Sequence, residues 1–429
     1  MNRAGRDVAE FYPALRRLAT GAGSASEIDR FGRALRNLQR GLTGDRPLAG
    51  ASYFSSADYL GAYLLYYWPV SFVQVSLALE EVRLRGALPR IRRVLDIGAG
   101  PGPASFAAAG FGAWESGAVD CTLVDANGEA LDAAMRLKGA SGARVSMEFK
   151  PVRRNLEEDD SFDGIGPLDD TNGRHGDDRR DGDDGRNGAP YDLIVACHSA
   201  NELWKGRDDA IERRASLFVK ASAFLAEGGI LLIVEPSANV TGRPALELRD
   251  RLLAEEQRFS CVAPCPGSFP CPIAAAGEGR GCHSTWPWEP NGPVATLARA
   301  AGLDRDSAKA TWFALKKSVS PRLEERAAPA QPGGRLAGRI VSESMLNKAG
   351  RLRYIMCTGS GLATLSAKAE GGAQGKGTAT GGTAEAAKFF SLKRGDLVEA
   401  EGLERRVGEN SFGFMPVSRL RITMKAPEA

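Results

Sequence analysis

Apolar residues recur at spacings of three and four over residues 8–18, 28–42 and 57–84, with Arg and Glu between them, and this predicts three helices in the first ninety residues. Ser55 and Ser56 stand where a cap of the third helix belongs, and Pro69 predicts a kink or split within it. The aromatic group Tyr63, Tyr66, Tyr67, Trp68 and Phe72 falls at helical spacing and reads as core. From residue 91 the pattern changes. Short apolar runs at 94–97, 121–125, 144–152, 193–197, 230–235 and 312–316 alternate with helical stretches near 103–111, 129–137 and 211–225. Strands alternating with helices predict an α/β fold with a mostly parallel sheet and right-handed crossovers. Beyond a Pro/Ala/Gly stretch at 327–334 the runs become short and two-periodic, at 339–342, 352–357, 362–366, 396–400 and 419–424. They predict a small antiparallel, barrel-like β domain over 335–429, with the Gly/Ala/Thr stretch 370–384 as a hairpin insert.

Two segments interrupt this order. Residues 157–188 are almost devoid of apolar side chains and dense in Asp, Gly and Arg, so they predict a disordered insertion. Residues 256–290 form a cysteine module. The expected organisation is therefore an N-terminal helical region (1–90), a Rossmann-like domain (91–326) carrying both segments, and a basic C-terminal β domain (335–429).

The chemistry concentrates at strand ends. VLDIGAGPG, residues 94–102, is an apolar strand carrying Asp96 that empties into Gly98, Gly100 and Gly102 before a helix of small residues. Glycines at a helix N-terminus let backbone N–H groups approach a ligand, helped by the helix dipole. The spacing G-x-G-x-G differs from the G-x-G-x-x-G of dinucleotide binders. The next strand ends in Asp125, whose carboxylate is placed to accept the two hydroxyls of a ribose, followed by Ala126. D-x-G-x-G-x-G with a following strand-terminal acid resembles the class I S-adenosylmethionine-dependent methyltransferases. That resemblance implies cofactor binding by Asp96, Gly98, Ala99, Gly100, Gly102, Asp125 and Ala126. His198, Ser199, Asn201 and Glu202 follow the fourth strand, on the side where ligands of open α/β sheets bind, and His198 is the candidate general base.

Composition adds limits. At 429 residues with 43% hydrophobic side chains the chain supports a sizeable core, and a net charge of +3 is too small to argue nucleic-acid binding from the total. The longest apolar candidate, residues 63–79, is short for a bilayer span and interrupted by Pro69 and Gln74. Asp7, Glu10, Glu27 and Asp29 come early for an acid-poor presequence, which favours a bacterial cytoplasm. Seven cysteines are an odd number. Cys121, Cys197 and Cys357 stand alone in predicted strands, whereas Cys261, Cys265, Cys271 and Cys282 crowd into C-x3-C-x5-C-x10-C among prolines 264, 266, 270 and 272. This argues for a metal rather than a disulfide framework; the spacing leaves a [4Fe-4S] cluster and a four-thiolate zinc site both open.

AYLLYYWPVSF at 62–72, CHSANEL after the fourth strand, VEPSANVTGRPALELRDRLL after the fifth, APCPGSFPCPI with GCH, and GRIVSESMLNKAGRLRYIMC at 338–357 together resemble the methyltransferase-like family associated with the small ribosomal subunit. Its members occur in bacteria and in mitochondria, where they act as assembly factors of that subunit. The resemblance implies a [4Fe-4S] cluster on Cys261, Cys265, Cys271 and Cys282, with zinc as the alternative. Its implied partners are the small subunit and its rRNA, with no membrane or DNA partner, and its location is mitochondrial if the source is eukaryotic. Two functions fit: methylation of rRNA, or a non-catalytic assembly factor. Scattered Lys and Arg in the last domain, among them Arg339, Arg351, Arg353, Arg405 and Arg421, would suit RNA backbone contact.

Overall fold

The computed structural model describes residues 3–20, 25–43, 53–116, 118–140, 146–165, 190–255, 258–277, 280–290, 292–303, 306–318, 334–368, 384–408 and 410–428. Four helices open the chain: α1 (Arg3–Thr20), α2 (Ala25–Thr43), α3 (Ala57–Ala62) and α4 (Trp68–Leu84). Ser56 caps α3, its Oγ accepting the Tyr59 N–H at 3.4 Å. A π-helical turn, Tyr63–Tyr67, joins α3 to α4. The expected split is therefore present, as this wide turn just before Pro69, which itself lies in the first turn of α4. The aromatic group divides accordingly. Tyr66, Trp68 and Phe72 are buried in the core, while Tyr63 and Tyr67 are half-buried and face a cleft. The stretch 57–84 is long and apolar enough by composition to cross a bilayer, which the sequence reading did not expect, but 89% of its most apolar part is buried inside the fold.

The main sheet is built from β1 (Arg93–Ile97), α5 (Pro103–Ser116), β2 (Val119–Asp125), α6 (Gly128–Ala140), β3 (Met147–Arg153), β4 (Tyr191–Cys197), α7 (Ala210–Ser222) and β5 (Leu225–Pro236). After α8 (Asn239–Leu253) come β6 (Phe259–Ala263), α9 (Pro272–Ala275), β7 (Ser284–Pro287), α10 (Gly292–Ala301) and β8 (Ser307–Lys317). The strand order is β3-β2-β1-β4-β5-β8-β6, with β7 also pairing β8. Pairs from β3 to β5 are parallel and those made by β8 antiparallel. This is the class I, Rossmann-like methyltransferase arrangement. Its central strands are apolar on both faces because helices cover both: Leu193 to Ala196 and Ile230 to Val234 have no exposed surface.

The segment expected to be disordered from residue 157 begins as structure. Leu156, Phe162 and Ile165 are buried, and Arg154 holds the turn by donating to the Ser161 carbonyl at 2.6 Å. These apolar side chains at its start suffice to anchor it against β4, where Tyr191 Oη donates to the Ile165 carbonyl at 2.6 Å. Residues 166–188 of that insertion, 327–333 of the linker and 370–383 of the hairpin insert lie outside the described residues.

A second sheet follows: β9 (Leu336–Ile340), β10 (Met345–Leu346), β11 (Arg351–Thr358), β12 (Gly361–Lys368), β13 (Leu397–Glu401), β14 (Glu404–Arg405), β15 (Ser411–Gly413) and β16 (Arg419–Met424), with helix α11 (Ala384–Phe390) between β12 and β13. Its order is β14-β15-β12-β11-β9-β13-β16, antiparallel except where β12 meets β15. Phe389 of α11 and Tyr354 of β11 centre its own core. Arg339, read as one of the basic surface residues, is instead buried at 3% exposure.

Candidate functional site

Two sites emerge. The first is a cleft of about 470 Å³ at the carboxyl ends of β1, β2, β4 and β5, where the chain direction across the sheet reverses on either side of β1. Gly98, Gly100 and Gly102 all take positive φ (68°, 53° and 78°), which L side chains disfavour. At Gly98 a Cβ would also stand 2.3 Å from that of Ser199, so only glycine lets the loop after β4 close on the turn. Both oxygens of Asp125 accept backbone N–H groups, from Gly100 and from Asn127, each at 2.8 Å. Burial nonetheless pushes its carboxyl above the usual carboxylate range.

Gly98, Gly100, Asp125, Ala126 and His198 line this cleft. Asp96, Ala99 and Gly102 do not; they lie behind the turn. Asp96 Oδ2 accepts from the Ser105 N–H at 3.1 Å and Oγ at 2.7 Å, tying the strand to the start of α5. Burial raises the Asp96 carboxyl to about 7, with the Ser105 hydrogen bonds opposing. The polar run after β4 also divides. Asn201 Nδ2 donates to the Thr241 carbonyl at 2.6 Å and stays out of the cleft, whereas His198 (φ 61°), Ser199 and Glu202 line it, Ser199 with its Oγ donating to the Ile97 carbonyl at 2.6 Å.

Several cleft residues escape the sequence reading. Tyr53, Phe54 and Tyr63 arrive from the N-terminal helical region and cover the glycine turn; the Phe54 ring comes within 3.8 Å of where a Cβ on Gly100 would sit. Burial first, then the Glu202 carboxylate, raises the Tyr53 phenol, so it stays protonated. Asn155, Leu156 and Glu157 come from the carboxyl end of β3, a position equivalent to those of Gly98 and Asp125 on their strands. Glu235, at the end of β5, is 1% exposed and accepts the Asn201 N–H at 3.1 Å.

The second site is a narrow cavity of about 20 Å³ between the cysteine module and the second sheet. Cys265, Cys271 and Cys282 line it together with Cys357 of β11; Cys261 lies behind, hydrogen-bonded to Cys265. Cys357, isolated in sequence, thus joins the module in space. The loop is held by arginines. Arg249, 1% exposed, donates to the Gly267 and Phe269 carbonyls at 3.0 Å each and pairs with Asp250, whose Oδ2 accepts the Cys271 N–H at 2.8 Å. Arg85 donates to the carbonyls of Pro264 at 2.7 Å and Cys265 at 2.9 Å. The Cys261 hydrogen bond, and the charges of Arg249, Arg339 and Arg85 against burial, hold the Cys265 thiol well below its ordinary range. Burial pushes the Cys282 thiol up to about 12. Arg85, Arg249 and Arg339 face two carboxylates, Glu81 and Asp250, which leaves one positive charge beside the thiols. Among the described residues, no three His, Cys, Asp or Glu side chains stand as a ready metal-binding group. The donor chemistry, four thiols facing excess positive charge, suits an anionic thiolate-bound centre.

Comparisons with solved structures return methyltransferases at low likeness. CcbJ from Streptomyces caelestis is 16% identical with a TM-score of 0.22, over 38% of this chain and 48% of its own. The N-methyltransferase NodS from Bradyrhizobium japonicum WM9 is 13% identical with a TM-score of 0.30, over 56% and 93%. The O-methyltransferase from Bacillus cereus, solved in complex with SAH, is 13% identical with a TM-score of 0.30, over 57% and 80%. The chain spans about half the length of CcbJ. No curated protein matches it by sequence. One family does match, over residues 58–289, more than half of the chain and inclusive of the glycine turn and the cysteine module: the chain belongs to the Rsm22 family, described as mitochondrial small ribosomal subunit Rsm22.

Proposed function

We propose that the chain binds S-adenosylmethionine in the cleft and acts with the small ribosomal subunit, as a methyltransferase on its rRNA or as an assembly factor. The observation that carries the first part is the glycine turn with Asp125 at the carboxyl ends of β1 and β2, opening on a 470 Å³ cleft. The residues present fit this cofactor: a half-buried acid on the cleft wall for ribose hydroxyls, open backbone beside it, and aromatic cover. When bound, the cofactor supplies a sulfonium-activated methyl group. The chain's own residues do the rest. Asp125 accepts the hydroxyls, the turn at Gly98 and Gly100 permits close approach, and Tyr53, Phe54 and Tyr63 exclude water. His198, lining the cleft after β4, is the side chain assigned to take the acceptor's proton.

Ribosome association is supported by the family's description, which names the mitochondrial small subunit. In a eukaryote the same description supports a mitochondrial location; in a bacterium the chain would work in the cytoplasm. We assign the thiol chamber a metal centre, a [4Fe-4S] cluster or, as the alternative, zinc. Cys265, Cys271 and Cys282 are common to any ligand set, and the cavity lining favours Cys357 over Cys261 as the fourth.

Calorimetry of S-adenosylmethionine against the full chain tests the cleft. Asp125→Ala and Gly100→Leu should each weaken binding at least tenfold, because one removes the hydroxyl acceptor and the other places a side chain at φ 53° on the cleft wall. Wild-type affinity in both variants would overturn the assignment. Co-sedimentation of the chain with small subunits from a strain lacking it, followed by methyl transfer to their rRNA, separates the enzyme from the assembly factor.

A further inference from the structure

The thiol chamber is shared between two parts of the chain. Leu246, Cys271 and Ile273 from the methyltransferase-like part pack with Val341 and Cys357 from the second sheet as one buried apolar cluster. Gly338 of β9 makes room for this: a Cβ there would lie 2.1 Å from the Cys357 carbonyl oxygen. Beneath the cluster runs a buried polar chain. Arg339 of β9, 3% exposed, faces the fully buried Glu81 of α4 at 3.6 Å and donates to Ser284 Oγ at 2.9 Å. Ser284, on β7, also accepts from Trp312 Nε1 at 2.8 Å, and lies two residues after Cys282. Glu81 in turn pairs with Arg85 at 2.6 Å, and Arg85 grips the Cys265 carbonyl. One carboxylate thus links an arginine of the second sheet to the backbone that carries the Cys265 thiol, and the same arginine reaches Ser284 beside Cys282.

We infer that Arg339 and Glu81 are positioning residues of the chamber, so that docking of the second sheet and retention of a thiolate-bound metal centre form one linked equilibrium. This rests on the metal-centre reading given above. The physical reason is that neither half is complete alone. Undocked, the module loses the wall supplied by Cys357 and Val341, and Glu81 keeps only one of its two arginines; a buried ion network with one member removed is destabilised rather than merely weakened. A centre that binds the docked state better must favour docking, and docking must tighten its binding by the same factor. Arg339 and Glu81 touch no metal in this scheme. They act by holding the Cys265 and Cys282 segments in place.

The test uses the full chain purified without oxygen, with iron and zinc measured first. Release of metal to a chelator is then timed for wild type, Arg339→Met, Arg339→Lys and Glu81→Gln. Arg339→Met and Glu81→Gln should release metal about tenfold faster, and Arg339→Lys, which keeps the charge, should fall between. Independently, hydrogen exchange is compared for metal-loaded and stripped wild type. Stripping should speed exchange in β9 and β11 more than in β13, on the far side of β9 from β11, and in β16 beyond it. That arm stands even if a variant fails to fold. Unchanged release in both charge variants, with equal exchange in β9 and β11 before and after stripping, overturns the linkage alone. A wild-type chain holding neither iron nor zinc overturns the metal reading, and the linkage with it.

Discussion

The cleft and the thiol chamber are both walled by the main sheet, yet they are assembled in opposite ways. Each principal cleft residue stands at or within two residues of the carboxyl end of the strand that positions it: Gly98 after β1, Asp125 closing β2, Asn155 after β3, His198 after β4, Glu235 near the end of β5. The parallel sheet brings these ends together by its topology alone. The chamber has no such rule. Its arginines come from the end of α4, from α8 and from β9, and its thiols from the module and from β11. A site built on consecutive strand ends tolerates imprecise packing between domains, whereas one built across a domain junction depends on it.

The same contrast explains what the sequence disclosed. The apolar runs of β1, β2 and β4, buried on both faces, located the glycine turn, Asp125 and His198, because a strand's end predicts where its next residue points. Tyr53 and Phe54 were missed since their role depends on how the helical region folds back over the turn. Asn155 and Glu157 were hidden at the edge of a polar insertion whose first residues are in fact anchored by Phe162 and Ile165. Cys357 and Arg339 were legible only as a strand cysteine and a basic residue. Nothing in local periodicity reveals that β9 and β11 lie against the module.

The largest expected effect falls on the chamber. Arg249→Met removes the guanidinium that holds the Gly267 and Phe269 carbonyls and pairs with Asp250. Asp250 is 27% exposed, so the cost is mainly that of two hydrogen bonds from a charged donor, together about 3–5 kcal/mol, and denaturant unfolding should detect a large fall in stability. A cost below about 1 kcal/mol would mean that the loop is held by its prolines and thiols instead.

The strand behind the cleft should answer to pH. Because burial raises the Asp96 carboxyl to about 7 from an ordinary 3.8, folding favours its protonated form. Its contribution to stability is complete below about pH 4 and is lost as pH rises through 7, at most roughly 4 kcal/mol. Asp96→Asn, neutral at every pH and able to keep a hydrogen bond with Ser105, should flatten the stability profile between pH 4 and 7. Parallel profiles for wild type and variant would show that the carboxyl ionises in the folded protein without penalty.

The smallest effect sharpens the comparison most. Cys261 and Cys357 are both 8% exposed and both buried among apolar neighbours, so replacing either by Ala should cost a similar amount, about 1 kcal/mol, when no metal is present. They differ in what they face. Cys357 lines the cavity with Cys265, Cys271 and Cys282, while Cys261 Sγ points to the Ala263 carbonyl at 3.5 Å and to Cys265. Cys357→Ala should therefore lose bound metal, measured as iron or zinc per chain in protein purified without oxygen, and Cys261→Ala should keep it. The opposite result would restore the set of four that sequence spacing suggests, and would make the chamber as local in the chain as the cleft is.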